Sequence, residues 1–169
     1  MSKVLARSRF TQPDIEAATN GKANSVLLRY WVGEGLFNTE LPDPPKGLAR
    51  EFPLSAVYEA AFLSKFLNRG VPAARAKRWN RELLRRRRKG DPFNLITWTE
   101  GDDEPMFRSS RDMTADDLFT DHSDPAGGWT GAPESFEPGS PAEDVSCINV
   151  TQVIKRVDSV LKRRHGIGE

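Results

Sequence analysis

A single cysteine, two histidines and no apolar run near the ~20 residues of a membrane-spanning helix set the first limits on this chain. One thiol, Cys147, excludes an internal disulfide and any multi-cysteine zinc site. Cys147 has no neighbouring base in its apolar run, so it is expected to be a buried structural thiol rather than a nucleophile. His122 stands beside Asp121 and Asp124 but has no second histidine nearby, and His165 sits in a basic tail where simple exposure is expected. No Gly-x-x-x-x-Gly-Lys loop is present to cradle a phosphate chain. Nothing in the chain calls for a cofactor or a metal, and catalysis is not the expected activity. The first residues, Met1 to Arg7, hold no apolar stretch long enough for a signal peptide, so a cytoplasmic protein without membrane attachment is expected.

What the 169 residues do have is charge segregated by sign. Residues 1–90 carry 18 Lys/Arg against 8 Asp/Glu, a balance of +10. Residues 91–146 carry 2 against 14, a balance of −12, and residues 147–169 carry 5 against 2. A net charge of +1 conceals this division. It suggests a nucleic-acid-binding part with an acidic appendage able to compete for the same basic surface.

Helix signals dominate the first 90 residues. Thr11 is a capping residue, Pro13 lies in the first turn, and Asp14 stands three residues past the cap. A second helix is predicted from Ser25 to Glu34, capped by Asn24 or Ser25 and stopped at Gly35. Between Leu36 and Phe52, three prolines and Gly47 separate short apolar ends, which predicts a hairpin. A third helix runs from Leu54 to Asn68. A fourth is opened by Pro72, has Ala76, Trp79 and Leu83 on one side, and ends in the basic run Arg85 to Lys89. Trp31, Trp79 and Phe66 are expected in the core.

Beyond Gly90 the pattern changes. Phe93 to Thr99 reads as a strand turning toward Met106-Phe107-Arg108, a second hairpin. Residues from about 110 to 144 are rich in Asp, Gly, Pro and Ser, the composition of a loosely packed or disordered segment. The apolar run from Val145 to Val150 then leads into an amphipathic helix ending near Arg164. Its stripe of Val150, Val153, Ile154, Val157, Val160 and Leu161 must be covered by something. The cover is either this chain's own β-hairpin or the same helix of a second copy, and the second, a homodimer, is the expected one. The expected organisation is a DNA-binding domain over 1–90, a β-hairpin with acidic linker over 91–146, and an oligomerisation helix over 147–169.

The second helix carries the functional argument. Leu28, Trp31 and Val32 share one side, while Ser25, Arg29 and Tyr30 point largely elsewhere, with Lys22 and Asn24 just before. A helix with a buried stripe and an exposed Arg/Tyr/Ser/Asn face suits the major groove of duplex DNA. Lys46 and Arg50 in the following hairpin would reach a flanking groove.

These residues also resemble a known family. Arg29-Tyr30-Trp31-Val32-Gly33-Glu34-Gly35-Leu36 is similar to the Arg-Tyr-aromatic-x-x-Glu-Gly-Leu signature of MerR (mercury-resistance regulator) winged helix-turn-helix domains. Gly47…Arg50-Glu51-Phe52 resembles the wing's Gly-x-Arg-x-Tyr, with one extra residue and Phe for Tyr. Val57 to Gly70 resembles the helix after the wing, and Gly70-Val71-Pro72 its exit; the likeness covers about residues 10–80. It implies a mainly α fold with small β parts (α+β), backbone or base contacts from Arg29 and Tyr30, base-facing Ser25 and Val26, and Arg50 on the wing. It further implies a bacterial or phage transcriptional regulator that binds a palindromic site and meets RNA polymerase or another regulator. An excisionase-like DNA-bending factor and an antitoxin- or adaptor-like interaction module are the rival readings. Two departures are visible: Pro92 interrupts the place of the family's long dimer helix, and one cysteine does not make a metal sensor.

Overall fold

The structure, a computed structural model, describes residues 9–98, 102–109 and 146–166. The start of the chain, His122 with its two aspartates, and most of the acidic segment therefore lie outside the described residues. The fold is mixed α and β with small antiparallel sheets, and it divides into two compact units. One comprises Met1–Asp91 together with Val150–Glu169; the other is Pro92–Asn149.

The first unit is helical. A two-residue strand β1 (Arg9–Phe10) leads into helix α1 (Gln12–Ala18), followed by α2 (Ser25–Gly33). Strand β2 (Phe52–Pro53) feeds directly into α3 (Leu54–Leu67), and α4 (Ala73–Lys89) follows. The last helix, α5 (Val150–Arg164), returns to this unit and packs on α1 and α3. Each helix buries the stripe its spacing defines. Leu28 and Trp31 of α2, Val57, Phe62 and Phe66 of α3, and Ala76, Trp79 and Leu83 of α4 are all buried. Phe66 meets Trp79 edge to face, centroids 5.6 Å apart. Gly90 takes the left-handed conformation (φ 78°) that ends α4, where a side chain would be strained.

One expectation needs correction. The segment from Leu36 to Phe52 does not form a hairpin: its described residues hold no strand before Phe52. Phe52 pairs instead with Phe10, and Pro53 with Arg9, in an antiparallel ladder with β1. Pro42, Pro44 and Pro45 have no N–H to donate to a ladder, and Leu36 and Phe37 are buried in the core rather than lined up as strand ends. The apolar stripe of α5 is covered in large part within one chain. Val150, Val153, Val157 and Leu161 are buried, at roughly 1.5–3 kcal/mol each, without any second copy. Ile154 and Val160 of the same stripe are half-buried.

The end of α5 is tied to the start of α1 through Asp14, whose side chain is almost fully buried. Its Oδ2 accepts from the Thr11 N–H (2.8 Å) and the Thr11 hydroxyl (2.9 Å), closing the N-terminus of α1. Its Oδ1 accepts from Arg164 Nε at 2.8 Å and faces His165 Nε2 at 3.3 Å. His165, expected to be simply exposed, also stands edge-on to Phe10 at 5.4 Å.

In the second unit, strands β3 (Leu95–Trp98), β4 (Met106–Arg108) and β5 (Ser146–Asn149) form an antiparallel sheet in the order β4-β3-β5. The predicted hairpin is present, with Ile96 opposite Phe107. Ile96 also faces Ile148 across the other edge, so β3 is central and buried along its length. Cys147 lies opposite Thr97 on an edge strand and is half-buried, not buried as expected. Among the described residues no helix is long and apolar enough to cross a membrane.

The Asp14 carboxylate gives the fold a defined acid response. Burial pushes its pKa up, but hydrogen bonds from the Thr11 N–H, Arg164 and the Thr11 hydroxyl, with the His165 charge, hold it below the ordinary 3.8. A depressed carboxylate contributes stability that is present above about pH 4 and is lost as pH falls through the folded value. Urea midpoints should therefore fall on acidification below about pH 4, and Asp14→Asn should flatten that dependence while lowering stability at neutral pH.

Candidate nucleic-acid interface

The connection from α1 to α2 is built from local hydrogen bonds. The Thr19 hydroxyl donates to the Ile15 carbonyl (2.9 Å) and accepts from the Ala23 N–H (3.0 Å), while Asn20 takes a left-handed conformation (φ 59°). Asn24 then caps α2, its Oδ1 accepting from the Leu27 N–H at 2.9 Å. At the other end Gly35, at φ 60°, lets the Leu36 N–H reach the Trp31 carbonyl at 2.8 Å. Leu28 and Trp31 anchor the inner face, at 2% and 1% exposure. The outer face follows from their position: Val26 is 67% exposed, Tyr30 54% exposed, and Arg29 exposed between them.

The sequence-predicted residues fall into three groups. Lys22, Asn24, Ser25, Val26, Arg29 and Tyr30 occupy one continuous segment, all exposed except the half-buried Ser25. Asn24 has its oxygen committed to the cap, and the Ser25 carbonyl accepts from Arg29 Nε at 3.3 Å. Lys46 is exposed in the turn closed by Leu48 N–H to Pro45 C=O, 3.0 Å. Arg50 behaves differently. One terminal nitrogen of its guanidinium donates to the carbonyls of Leu41 (2.9 Å) and Pro42 (2.7 Å), and the other pairs with Asp43 at 2.6 Å. With its side chain only 20% exposed, Arg50 staples the loop rather than presenting a free cation.

The loop and α2 nevertheless flank one open groove of about 630 Å³. Leu28, Arg29 and Val32 line it from α2, Asp43, Ala49 and Arg50 from the loop, and Pro13 from α1. Arg29 thus stands at the lip of a groove whose opposite wall is fixed by the Arg50 staple.

Sequence reasoning missed Glu59. It lies inside α3 at 1% exposure, where the helical spacing calls for an apolar residue. Its Oε2 accepts from the Asn38 N–H (2.7 Å) and the Thr39 N–H (3.2 Å), and its Oε1 from the Thr39 hydroxyl (2.9 Å). This carboxylate therefore fixes the chain as it leaves α2. The available signal was a lone acid within the apolar run from Leu54 to Leu67.

The basic run at the end of α4 is partly neutralised. Glu82 takes Arg85 at 2.5 Å and Arg86 at 2.8 Å, and the hydrogen bond from Arg85 above all holds its pKa down at about 2. Arg87, Arg88 and Lys89 remain exposed. Charge follows the structural division closely: Met1–Asp91 with Val150–Glu169 holds 23 Lys/Arg against 11 Asp/Glu (+12), and Pro92–Asn149 holds 2 against 13 (−11). Among the described residues no three His, Cys, Asp or Glu gather in a way that would hold a metal ion. The chain matches no protein-family model and no curated protein sequence.

Removing the Glu59 carboxylate tests its role. Glu59→Ala leaves the Asn38 and Thr39 N–H groups without their acceptor and should cost about 2–4 kcal/mol in denaturant unfolding. Limited proteolysis should then cut faster between residues 38 and 50, because the loop loses its anchor to α3.

Proposed function

We propose that this protein binds double-stranded DNA sequence-specifically, with α2 as the recognition helix of a MerR-like winged helix-turn-helix. The observation that carries the reading is the outward set Val26, Arg29 and Tyr30 on a helix held by buried Leu28 and Trp31, within a unit of net charge +12. Arg29 has the planar fork that matches guanine O6 and N7, and Val26 offers a methyl surface to thymine. Tyr30, Lys22 and Lys46 supply phosphate contacts that set register without reading sequence. On this reading the loop over residues 36–52 takes the role of the wing, stiffened by proline, Arg50 and Glu59 rather than by strand pairing.

The activity is binding rather than catalysis, and the proposed role is regulation of transcription. The burial of the α5 stripe within one chain favours a second form of the same reading. In that form protomers bind singly at tandem sites, as an architectural, excisionase-like factor does, instead of as a dimer on a palindrome.

Selection of bound duplexes from random oligonucleotides, followed by anisotropy titrations, tests the proposal. With roughly five to seven phosphates neutralised per protomer, log K against log salt should slope by about −4.5 to −6. Arg29→Ala should lose about 1–3 kcal/mol on the selected site and relax its preference, while Lys46→Ala should flatten the slope by about 0.9 on any sequence. An Arg29→Ala protein that binds like wild type would remove α2 from the interface. Tandem selected sites bound without a dimer intermediate would favour the architectural form, and a palindrome the dimeric one.

A further inference from the structure

A second cleft lies on the same unit, away from the groove beside α2. It is small, about 90 Å³, and three basic side chains from separate parts of the chain line it: Lys22 after α1, Lys65 of α3 and Arg156 of α5. Asn20 and Asn68 complete the polar rim, and no carboxylate takes part in the lining. No ion pair among the described residues holds any of the three cations. What sets the three apart is that separate elements of the chain bring them to one cleft. A volume of this size suits a tetrahedral oxyanion and is far below the roughly 300–1,000 Å³ of a cofactor pocket.

We infer that this cleft is a phosphate-binding site, taking one phosphate group between Lys22, Lys65 and Arg156. Three positive charges brought together without a counter-ion repel one another, and a bound dianion or phosphodiester removes that repulsion. The C-terminal ends of α1 and α3 border the cleft, but each contributes only about half a negative charge against three full positive ones. Asn20 carries an amide NH₂ suited to phosphate oxygens, and Asn68, whose Nδ2 already donates to Ser64 Oγ at 3.3 Å, has one N–H more to give. The phosphate has two possible sources, a nucleic-acid backbone or a free phosphate. The backbone source rests on the DNA-binding reading above, because Lys22 opens the segment that leads into α2. A phosphodiester seated here would fix the register of α2 on the duplex from a point outside the recognition face.

The test uses the full chain and two variants outside α2, Lys65→Gln and Arg156→Gln. Amide chemical shifts of Asn20, Lys22 and Asn68 are followed during titration with inorganic phosphate, and with chloride at matched ionic strength. Saturable shifts in phosphate but not chloride, weakened at least fivefold in either variant, are expected. In duplex titrations each variant should flatten the salt slope by about 0.9 without changing sequence preference, if the source is the backbone. Saturable phosphate binding with an unchanged duplex slope assigns the site to free phosphate. If wild-type protein binds no duplex, the DNA-binding reading fails while the phosphate titration still decides the cleft. Variants that lower Tm, yet alter neither phosphate shifts nor duplex slope, would overturn the inference and leave the cations as partners of the helix C-termini.

Discussion

A carboxylate sealed inside a helical core is the constraint on which the rest of the candidate interface depends. Burying Glu59 would be unfavourable by several kcal/mol if its charge were unmatched, so its position is set by the donors that reach it. Those donors are the Asn38 and Thr39 backbone and the Thr39 hydroxyl, the residues that follow α2. The Glu59 backbone carbonyl meanwhile accepts from Asn80 Nδ2 of α4 at 3.1 Å, and Asn38 Nδ2 reaches the Lys77 carbonyl at 3.4 Å. One residue thus links the exit of α2 to α3 and α4. With Leu28 and Trp31 seated in the core, α2 has one orientation, and Val26, Arg29 and Tyr30 are outside as a consequence.

A second carboxylate works in the same way at the other end of the unit. Asp14 closes the N-terminus of α1 and receives Arg164 and His165 from the end of α5. The hydroxyl of Tyr58 on α3 adds a further tie to α5 by donating a hydrogen bond to Asp158. A helix separated from α4 by some sixty residues is therefore part of the helical unit, fixed by polar contacts as well as by its valines. Charge segregation then acts at the level of units rather than sequence thirds, +12 against −11. Fields of this kind raise association rates with polyanions and weaken steeply with salt.

Helix ends and helix faces were legible in the sequence because their causes are local. Thr11 and Asp14, Asn24, Gly35 and Gly90 act within a few residues of where they stand. The exposure of Val26, Arg29 and Tyr30 followed from 3.6-residue spacing against Leu28 and Trp31. What spacing did not encode was non-local. Spacing showed that α5 has a face to cover, but not that α1 and α3 cover it. The apolar ends at Leu36 and Phe52 looked like strand partners, whereas Phe52 pairs with Phe10 about forty residues earlier. Arg50 has the right residue type for a phosphate ligand, yet three nearby loop acceptors claim it. Glu59 and the convergence of Lys22, Lys65 and Arg156 depend on tertiary placement, which no periodicity encodes.

The central claim is that the outward face of α2 meets duplex DNA, and amide shift mapping tests it most directly. The full chain, labelled with ¹⁵N, is titrated with a selected duplex at low salt. The account predicts that the largest perturbations fall between Lys22 and Tyr30, with a second set around Lys46 to Leu48. Perturbations confined to the basic end of α4, or a duplex that leaves α2 unshifted while binding elsewhere, would contradict it.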